Sequence, residues 1–429
     1  MLNPSQKQSP KDFTRNRKLS FSRLLVFILS LVAGGKAKGV DVKSGVFFRN
    51  AKRSGLWLDA EPVHRSALTK ARKKVEWRVF EDMLGKAVQV AYRFWPESPE
   101  FLWHGMSVYA VDGSAYELPA TEEIRREFDP KSGLQYAGKG HYPQCLVSTL
   151  YDVFRRLPIA RTVAPVNSSE REQAKLLMPY IPAGGVVLFD RGYPGFQLIR
   201  YLLAEFTGYF IFRCPARDTF PAVERFIRSG KEEDVIRIEP SVNFLKRLPP
   251  SRRKEQKAIK LRIVKLVSPD GTVSVLLTNL YDKSRFPCRE IVNLYFRRWG
   301  VESYYRDEKT VLEIETFHGK TCNSIRQELL AAVIMSVISR TLMALCMPSP
   351  ANRVAEPQFK NAMMTLASEA AVLASNDPET ALQIFDSILK EISRVRYYRP
   401  KHPRPPQPRV TKRRLGKWAV SKTKKVEHA

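Results

Sequence analysis

Five cysteines occur in the 429 residues, Cys145, Cys214, Cys288, Cys322 and Cys346, scattered and without a CxxC pair. That spacing excludes a zinc ribbon and a disulfide framework, and it fits a reducing cytoplasm. No Walker loop is present, so ATP is not implied. Serine, cysteine and histidine nucleophile arrangements also lack support. The apolar run Leu24 to Ala33 follows Arg15, Arg17, Lys18 and Arg23 in the order of a signal peptide, yet it is too short to span a bilayer. Basic charge continues beyond it at Lys36 and Lys38, so it reads as a small helix of an N-terminal domain. Acidic residues are scarce as well: 43 Asp and Glu face 72 Lys and Arg, a net charge of +29.

That imbalance calls for a polyanionic partner, with nucleic acid ahead of a membrane surface. Basic clusters recur along the chain (Lys7 to Lys18, Lys70 to Lys74, Lys246 to Lys260, Arg394 to Lys425), as suits a duplex gripped by several surfaces. The hydrophobic fraction, 44%, is that of a folded protein. Residues 1–97 read as a helical DNA-binding region. Within it Ser66 to Phe94 lacks proline and repeats apolar residues at helical spacing, with Lys70, Arg72, Lys73 and Lys74 outward. Residues 346–397 read as a helical C-terminal region and 398–429 as a basic disordered tail.

Between these lies an α/β unit, 98–345. Ser107 to Tyr116, Gln144 to Phe154 and Ile159 to Val166 fit strands, the last two at hairpin spacing. A helix capped near Ser169 follows, then the continuous apolar run Val186 to Phe189, a helix over Phe196 to Phe206 and a strand over Tyr209 to Arg213. Three strands, helix, strand, helix, strand is the ribonuclease-H-like order. A β-rich insertion over about 215–287 interrupts it, with strands Lys260 to Val267 and Thr272 to Leu280. A long helix is expected over Glu290 to Glu315 and an apolar one over Ile325 to Leu345.

The sharpest signal lies in the long helix. Tyr295, Arg298, Glu302 and Lys309 fall within roughly 60° of one face at 100° per residue. Beside them runs the apolar stripe Leu294, Val301, Tyr305 and Leu312. Alone, this is also the pattern of an amphipathic helix with ordinary salt bridges. Asp112 and Asp190 each end an apolar strand, where α/β sheets build sites. Separately, Asp112-Gly113 also reads as a hairpin turn and Asp190-Arg191-Gly192 as a helix cap. Together, two strand-end aspartates and a helix glutamate are what two-metal phosphodiester chemistry needs, because Mg²⁺ or Mn²⁺ takes oxygen ligands. Arg298 and Lys309 would hold a phosphate beside the metal, and the Tyr295 hydroxyl would donate to it.

At these residues the chain resembles the DDE transposases of bacterial insertion sequences, specifically the insertion-sequence-four family. That family's signature, Tyr, two residues, Arg, three residues, Glu, six residues, Lys, is met at every position from Tyr295 to Lys309. Val111-Asp112-Gly113-Ser114 and Leu188-Phe189-Asp190-Arg191-Gly192-Tyr193 look like the contexts of its two aspartates. The resemblance runs roughly from Phe13 to Leu345. It implies an enzyme that binds terminal inverted repeats of double-stranded DNA, nicks the transferred strand and joins it to target DNA. It also implies catalytic and metal roles for Asp112, Asp190 and Glu302, a divalent cation (Mg²⁺ or Mn²⁺), DNA-phosphate contacts from Tyr295, Arg298 and Lys309, and a homodimer in the DNA complex. Some members pass through a DNA hairpin using a tryptophan in the insertion; here the insertion has none, and Trp299 reads as core. A non-catalytic DNA-binding protein on the same fold, or a nuclease that cuts without joining, would share much of this pattern. His318-Gly319-Lys320 reads as a helix end with a glycine cap.

Overall fold

The computed structural model describes residues 7–9, 11–14, 18–33, 39–95, 99–131, 141–268, 271–347 and 355–398. The basic tail expected over 398–429 lies outside the described residues from 399 onward. The first helices are α1 Phe21–Leu31, α2 Val40–Arg53, α3 Arg65–Arg72 and α4 Arg78–Phe94. The core then runs β1 Val108–Glu117, α5 Glu122–Phe128, β2 Gln144–Asp152, β3 Leu157–Pro165, α6 Glu170–Leu177, β4 Val186–Phe189, α7 Phe196–Glu205 and β5 Tyr209–Pro215. Next come α8 Pro221–Arg228, β6 Glu233–Ile238, α9 Val242–Lys246, α10 Pro250–Arg253, β7 Ile259–Val267 and β8 Val273–Thr278. The last are α11 Cys288–Phe296, α12 Trp299–Thr310, α13 Cys322–Leu345, β9 Ala355–Pro357, α14 Phe359–Ser368, α15 Pro378–Arg394 and β10 Arg396–Tyr398.

One mixed sheet carries the order β3-β2-β1-β4-β5-β8-β7-β6. Its first five strands are the ribonuclease-H-like set: β1, β2 and β3 are antiparallel, while β4 lies parallel to β1 and β5 parallel to β4. The two parallel pairings bury β4 completely, which is why its sequence is the unbroken run Val186-Val187-Leu188-Phe189. α6 packs on β1, β2 and β3, whereas α13 and α4 pack on β3. β2 is buried from Cys145 to Asp152, as cover on both faces requires.

The insertion does not stand apart from this sheet. β8 pairs antiparallel with β5, and β7 and β6 extend the same sheet outward. Local alternation revealed the strands but not their partner, because the β5–β8 pairing is long-range.

Two expected helices are broken. Ser66 to Phe94 is interrupted between α3 and α4, where Val75 makes an isolated bridge to Lys7. Side chains of α13 take over the backbone groups there: Asn323 Nδ2 and Gln327 Nε2 donate to the Val75 carbonyl, and the Trp77 amide donates to Asn323 Oδ1. Tertiary bonds thus replace helical ones, and no proline is needed. The long helix is likewise split at Arg297 and Arg298, where amides bond three residues back (Arg298 N to Tyr295 O, Val301 N to Arg298 O). It also ends at Thr310 rather than Glu315.

α13 starts with a capping box, Thr321 with Ser324, and is the one described helix long and apolar enough to cross a membrane. It is instead mostly buried, packed against α1, α4, α14, α15 and β3. Its start is tied to the N-terminal helices by Arg72, whose guanidinium reaches Glu328 Oε1 at 2.8 Å, Gln327 Oε1 at 3.0 Å and the Ser324 carbonyl at 3.1 Å. Glu328 also accepts from the amides of His318 and Gly319. The His318-Gly319 segment is therefore not a helix end. It is a loop wrapped on a buried carboxylate, and Gly319 is small because Ser324 Oγ would lie 2.2 Å from a Cβ there.

Candidate active site

Parallel register places the two aspartates. Val111 pairs with Phe189, the last residue of β4, so the next residue of each strand, Asp112 and Asp190, emerges at the same end of adjacent strands, about 4.8 Å apart by inter-strand spacing. Past this point β1 continues with β2 alone, and its burial loosens from Asp112 onward. Asp190 is steadied by its own loop: Oδ1 accepts the Gly192 amide at 2.7 Å.

α12 lies along this open half of β1. Tyr305 donates its hydroxyl to the Asp112 carbonyl at 2.8 Å and to the Val147 carbonyl at 3.1 Å. Lys309 Nζ donates to the Ala115 carbonyl at 2.6 Å and sits 4.6 Å from the Tyr116 ring centre. Below them lies a buried polar pillar. Glu308 accepts from Tyr116 at 2.5 Å, from Tyr304 at 2.6 Å and from Arg161 at 2.7 Å. Arg161 further donates to Thr149 Oγ1 and the Leu329 carbonyl. Glu308 is thus structural, facing away from Glu302 as its position on the helix requires.

Glu302, one turn before Tyr305, is brought towards the aspartates. Burial pushes the Asp112 carboxyl up to about 7; Arg298 opposes this, and the charges of Asp190 and Glu302 add to it. The three carboxylates therefore share one electrostatic neighbourhood. All offer hard oxygen donors, the set that suits Mg²⁺ or Mn²⁺. Among the described residues, however, no three His, Cys, Asp or Glu already form a ligating group. Glu302 is paired instead with Arg298 Nη2 at 2.5 Å. The donor chemistry fits a divalent cation, and Glu302 has to leave Arg298 to complete the set.

Arg298 is only 3% exposed, and its Nε and Nη1 make no hydrogen bond. Tyr295, 1% exposed, lies in the last turn of α11 beside it; burial pushes its hydroxyl up to about 12, and that hydroxyl donates to no acceptor. The structure thus sets Tyr295, Arg298 and Glu302 side by side, with the charges of Arg298 and Glu302 felt at Asp112. Lys309 lies two turns further along α12, against the part of β1 that follows Asp112. The apolar stripe Leu294, Val301, Tyr305 and Leu312 is buried as expected.

Trp299 differs from expectation: it is 44% exposed, with the Arg298 guanidinium 5.2 Å from its ring centre. Trp299 is the first residue of α12, and at 100° per residue it lies roughly 140° from the buried stripe, so helical geometry itself turns it outward. Two further residues were missed. The Glu170 carboxyl presses against Gly113, where a Cβ would lie 2.9 Å from its Cδ. Burial and the charge of Asp190 raise its proton affinity. Tyr193 is fully buried among Glu170, Asp112 and Asp190. Glu170 is the first residue of α6, and nothing local in the sequence marks it as a neighbour of the site.

Residues 103–338 match the family profile described as the transposase DDE domain. The chain is 26% identical over 269 residues to the transposase InsG for insertion sequence element IS4 of Escherichia coli (strain K12), covering 62% of this chain and 58% of that protein. It is 27% identical over 192 residues to the putative transposase y4zB of Sinorhizobium fredii (strain NBRC 101917 / NGR234), covering 44% and 51%. It thus spans less than two thirds of the length of either curated relative. Among solved structures, a piggyBac transposase synaptic complex with hairpin DNA aligns over 91% of this chain and 78% of that one, with a TM-score of 0.41 and 11% identity. With the profile matching over half of its length, the chain belongs to the DDE transposases, of the insertion-sequence-four family.

Proposed function

We propose that this transposase binds the ends of its element in double-stranded DNA, cuts them and joins the freed 3′ end to target DNA. The observation that supports the reading is that Asp112 and Asp190 leave adjacent parallel strands at one end, within reach of the charge of Glu302 and beside a buried arginine with unused donors. Asp112, Asp190 and Glu302 would hold the divalent cation. Bound there, Mg²⁺ or Mn²⁺ supplies activation of the attacking oxygen and charge neutralisation at the leaving one.

The chain's own groups do the rest. Arg298 has Nε and Nη1 without acceptors, and each forms a planar fork for phosphate oxygens together with Nη2, the nitrogen now held by Glu302. The Tyr295 hydroxyl keeps its proton at neutral pH and so acts as a donor rather than an anion. Lys309 holds the strand after Asp112 and places a positive charge beside the DNA path. Tyr305, bonded to the Asp112 carbonyl, sets the distance between the helix that carries Glu302 and the strand that carries Asp112. The exposed Lys70 of α3 and Lys73 just beyond its end serve DNA phosphates outside the site. Residues 1–97 thereby act as the DNA-binding region, 98–345 as the catalytic unit and 346–397 as its C-terminal helical cover. The working form is a homodimer on DNA in the bacterial cytoplasm.

A strand-transfer assay tests this. The protein is mixed with a labelled duplex carrying the element's terminal sequence, a supercoiled target and Mg²⁺. Joined product supports the reading. Nicking without joining would favour a simple nuclease, and binding without nicking a non-catalytic DNA-binding protein.

A further inference from the structure

We infer that Arg298 is an internal counter-ion that holds Glu302 back in the DNA-free protein, so that a DNA phosphate and the divalent cation enter the site cooperatively. The inference rests on the proposed metal role of the three carboxylates.

Two observations carry it. Glu302 is ion-paired with Arg298, its partner four residues away, rather than gathered with the aspartates. The Nε and Nη1 of Arg298 are buried without acceptors while Nη2 alone serves Glu302. A buried guanidinium with two idle donors is costly unless a further acceptor arrives. A phosphate oxygen pair is such an acceptor, and it matches the planar fork better than one carboxylate oxygen does.

The sequence of events follows from charge. Without DNA, the guanidinium occupies the neighbourhood that a cation would otherwise neutralise, and it withholds one ligand. A phosphate bound by two donors must take Nη2 together with Nε or Nη1, and so competes directly with Glu302 for the donor that holds it. Glu302 is 40% exposed and free to re-orient, so it can then turn to the aspartates. Each ligand therefore raises the affinity of the other by the same factor, as linkage demands. Arg298 acts here as a positioning residue for Glu302. The arrangement also keeps the site weakly loaded with metal until DNA is present, which limits stray cleavage.

Mn²⁺ binding, read from the electron paramagnetic resonance signal of the free ion, tests the inference without relying on turnover. Binding is measured on the full-length protein with and without a duplex carrying the element's end, the duplex-only signal being subtracted. Wild type is expected to bind Mn²⁺ about tenfold more tightly with DNA. Arg298→Gln is expected to bind it tightly without DNA and to lose the difference, and Arg298→Lys to fall between. Equal Mn²⁺ affinity with and without DNA in wild type overturns the inference while leaving the metal site intact. Absence of Mn²⁺ binding at this site in both conditions, with no change on Glu302→Gln, overturns the proposed metal role itself. The wild-type comparison stands even where Arg298→Gln fails to fold.

Discussion

Substitution of Glu308 by glutamine removes the charge that balances Arg161 inside the protein. Both side chains are 0% exposed and meet at 2.7 Å. The amide keeps the volume of the carboxylate and can still accept one phenol, so cavity terms are small and the effect isolates the charge. An uncompensated guanidinium is left among Tyr304, Thr149 and the Leu329 carbonyl. Breaking one side of such a buried pair costs about 3–5 kcal/mol. Arg161→Met strands the carboxylate of Glu308 instead and is expected to cost a similar amount. The double substitution Arg161→Met, Glu308→Met leaves only neutral groups, and two unpaired phenols at about 1 kcal/mol each set its cost near 2 kcal/mol. The double variant should therefore be more stable than either single one, with a coupling of several kcal/mol in a double-mutant cycle. Urea denaturation followed by fluorescence and circular dichroism measures this. Losses below about 1 kcal/mol for both single variants, or a double variant whose loss equals their sum, would refute the pillar as the anchor of α12.

Other consequences can be checked alongside. Because Asp112 has its proton affinity raised, from 3.8 to about 7, it contributes stability to the metal-free protein that is present below pH 4 and lost as pH rises through 7. Asp112→Asn should then match wild type near pH 4 and exceed it at pH 8 by about 1–2 kcal/mol, the full shift being discounted for partial exposure. Glu328 is deeply buried, yet Arg72 and His318 hold it down to about 2, so its contribution is present above pH 4.5 and lost as pH falls through 2. Arg72→Met should cost about 3 kcal/mol at pH 7 and expose the segment between α3 and α4 to limited proteolysis, which intact packing would resist. Tyr305→Phe removes the bond to the Asp112 carbonyl and should cost about 1 kcal/mol, lowering the cleavage rate severalfold while leaving DNA affinity unchanged in gel shift.

What the sequence disclosed and what it concealed divide along physical lines. The strands of the core were legible because burial on both faces writes continuous apolar runs, as in Val186 to Phe189, and because Asp112 and Asp190 end such runs. The signature on α11 and α12 was legible as spacing. The break between them was not, since Arg297 and Arg298 are ordinary helix formers and the tightened turn is set by the fold. Glu170 carries no local mark, because its nearness to Gly113 depends on how α6 packs against β1. Likewise the glycine of His318-Gly319 was misread, since the carboxylate it wraps comes from Glu328, in the next helix.

The central claim is that Asp112, Asp190 and Glu302 together form one metal-dependent phosphodiester site. The most direct test is cleavage of a labelled duplex carrying the element's terminal sequence, with and without Mg²⁺, by wild type and by Asp112→Asn, Asp190→Asn and Glu302→Gln. The account expects Mg²⁺-dependent nicking by wild type and its loss in all three variants, each still shifting the duplex in a gel because binding rests on lysine and arginine. Nicking at the wild-type rate by any one of the three, or wild-type nicking that is indifferent to metal, would contradict it.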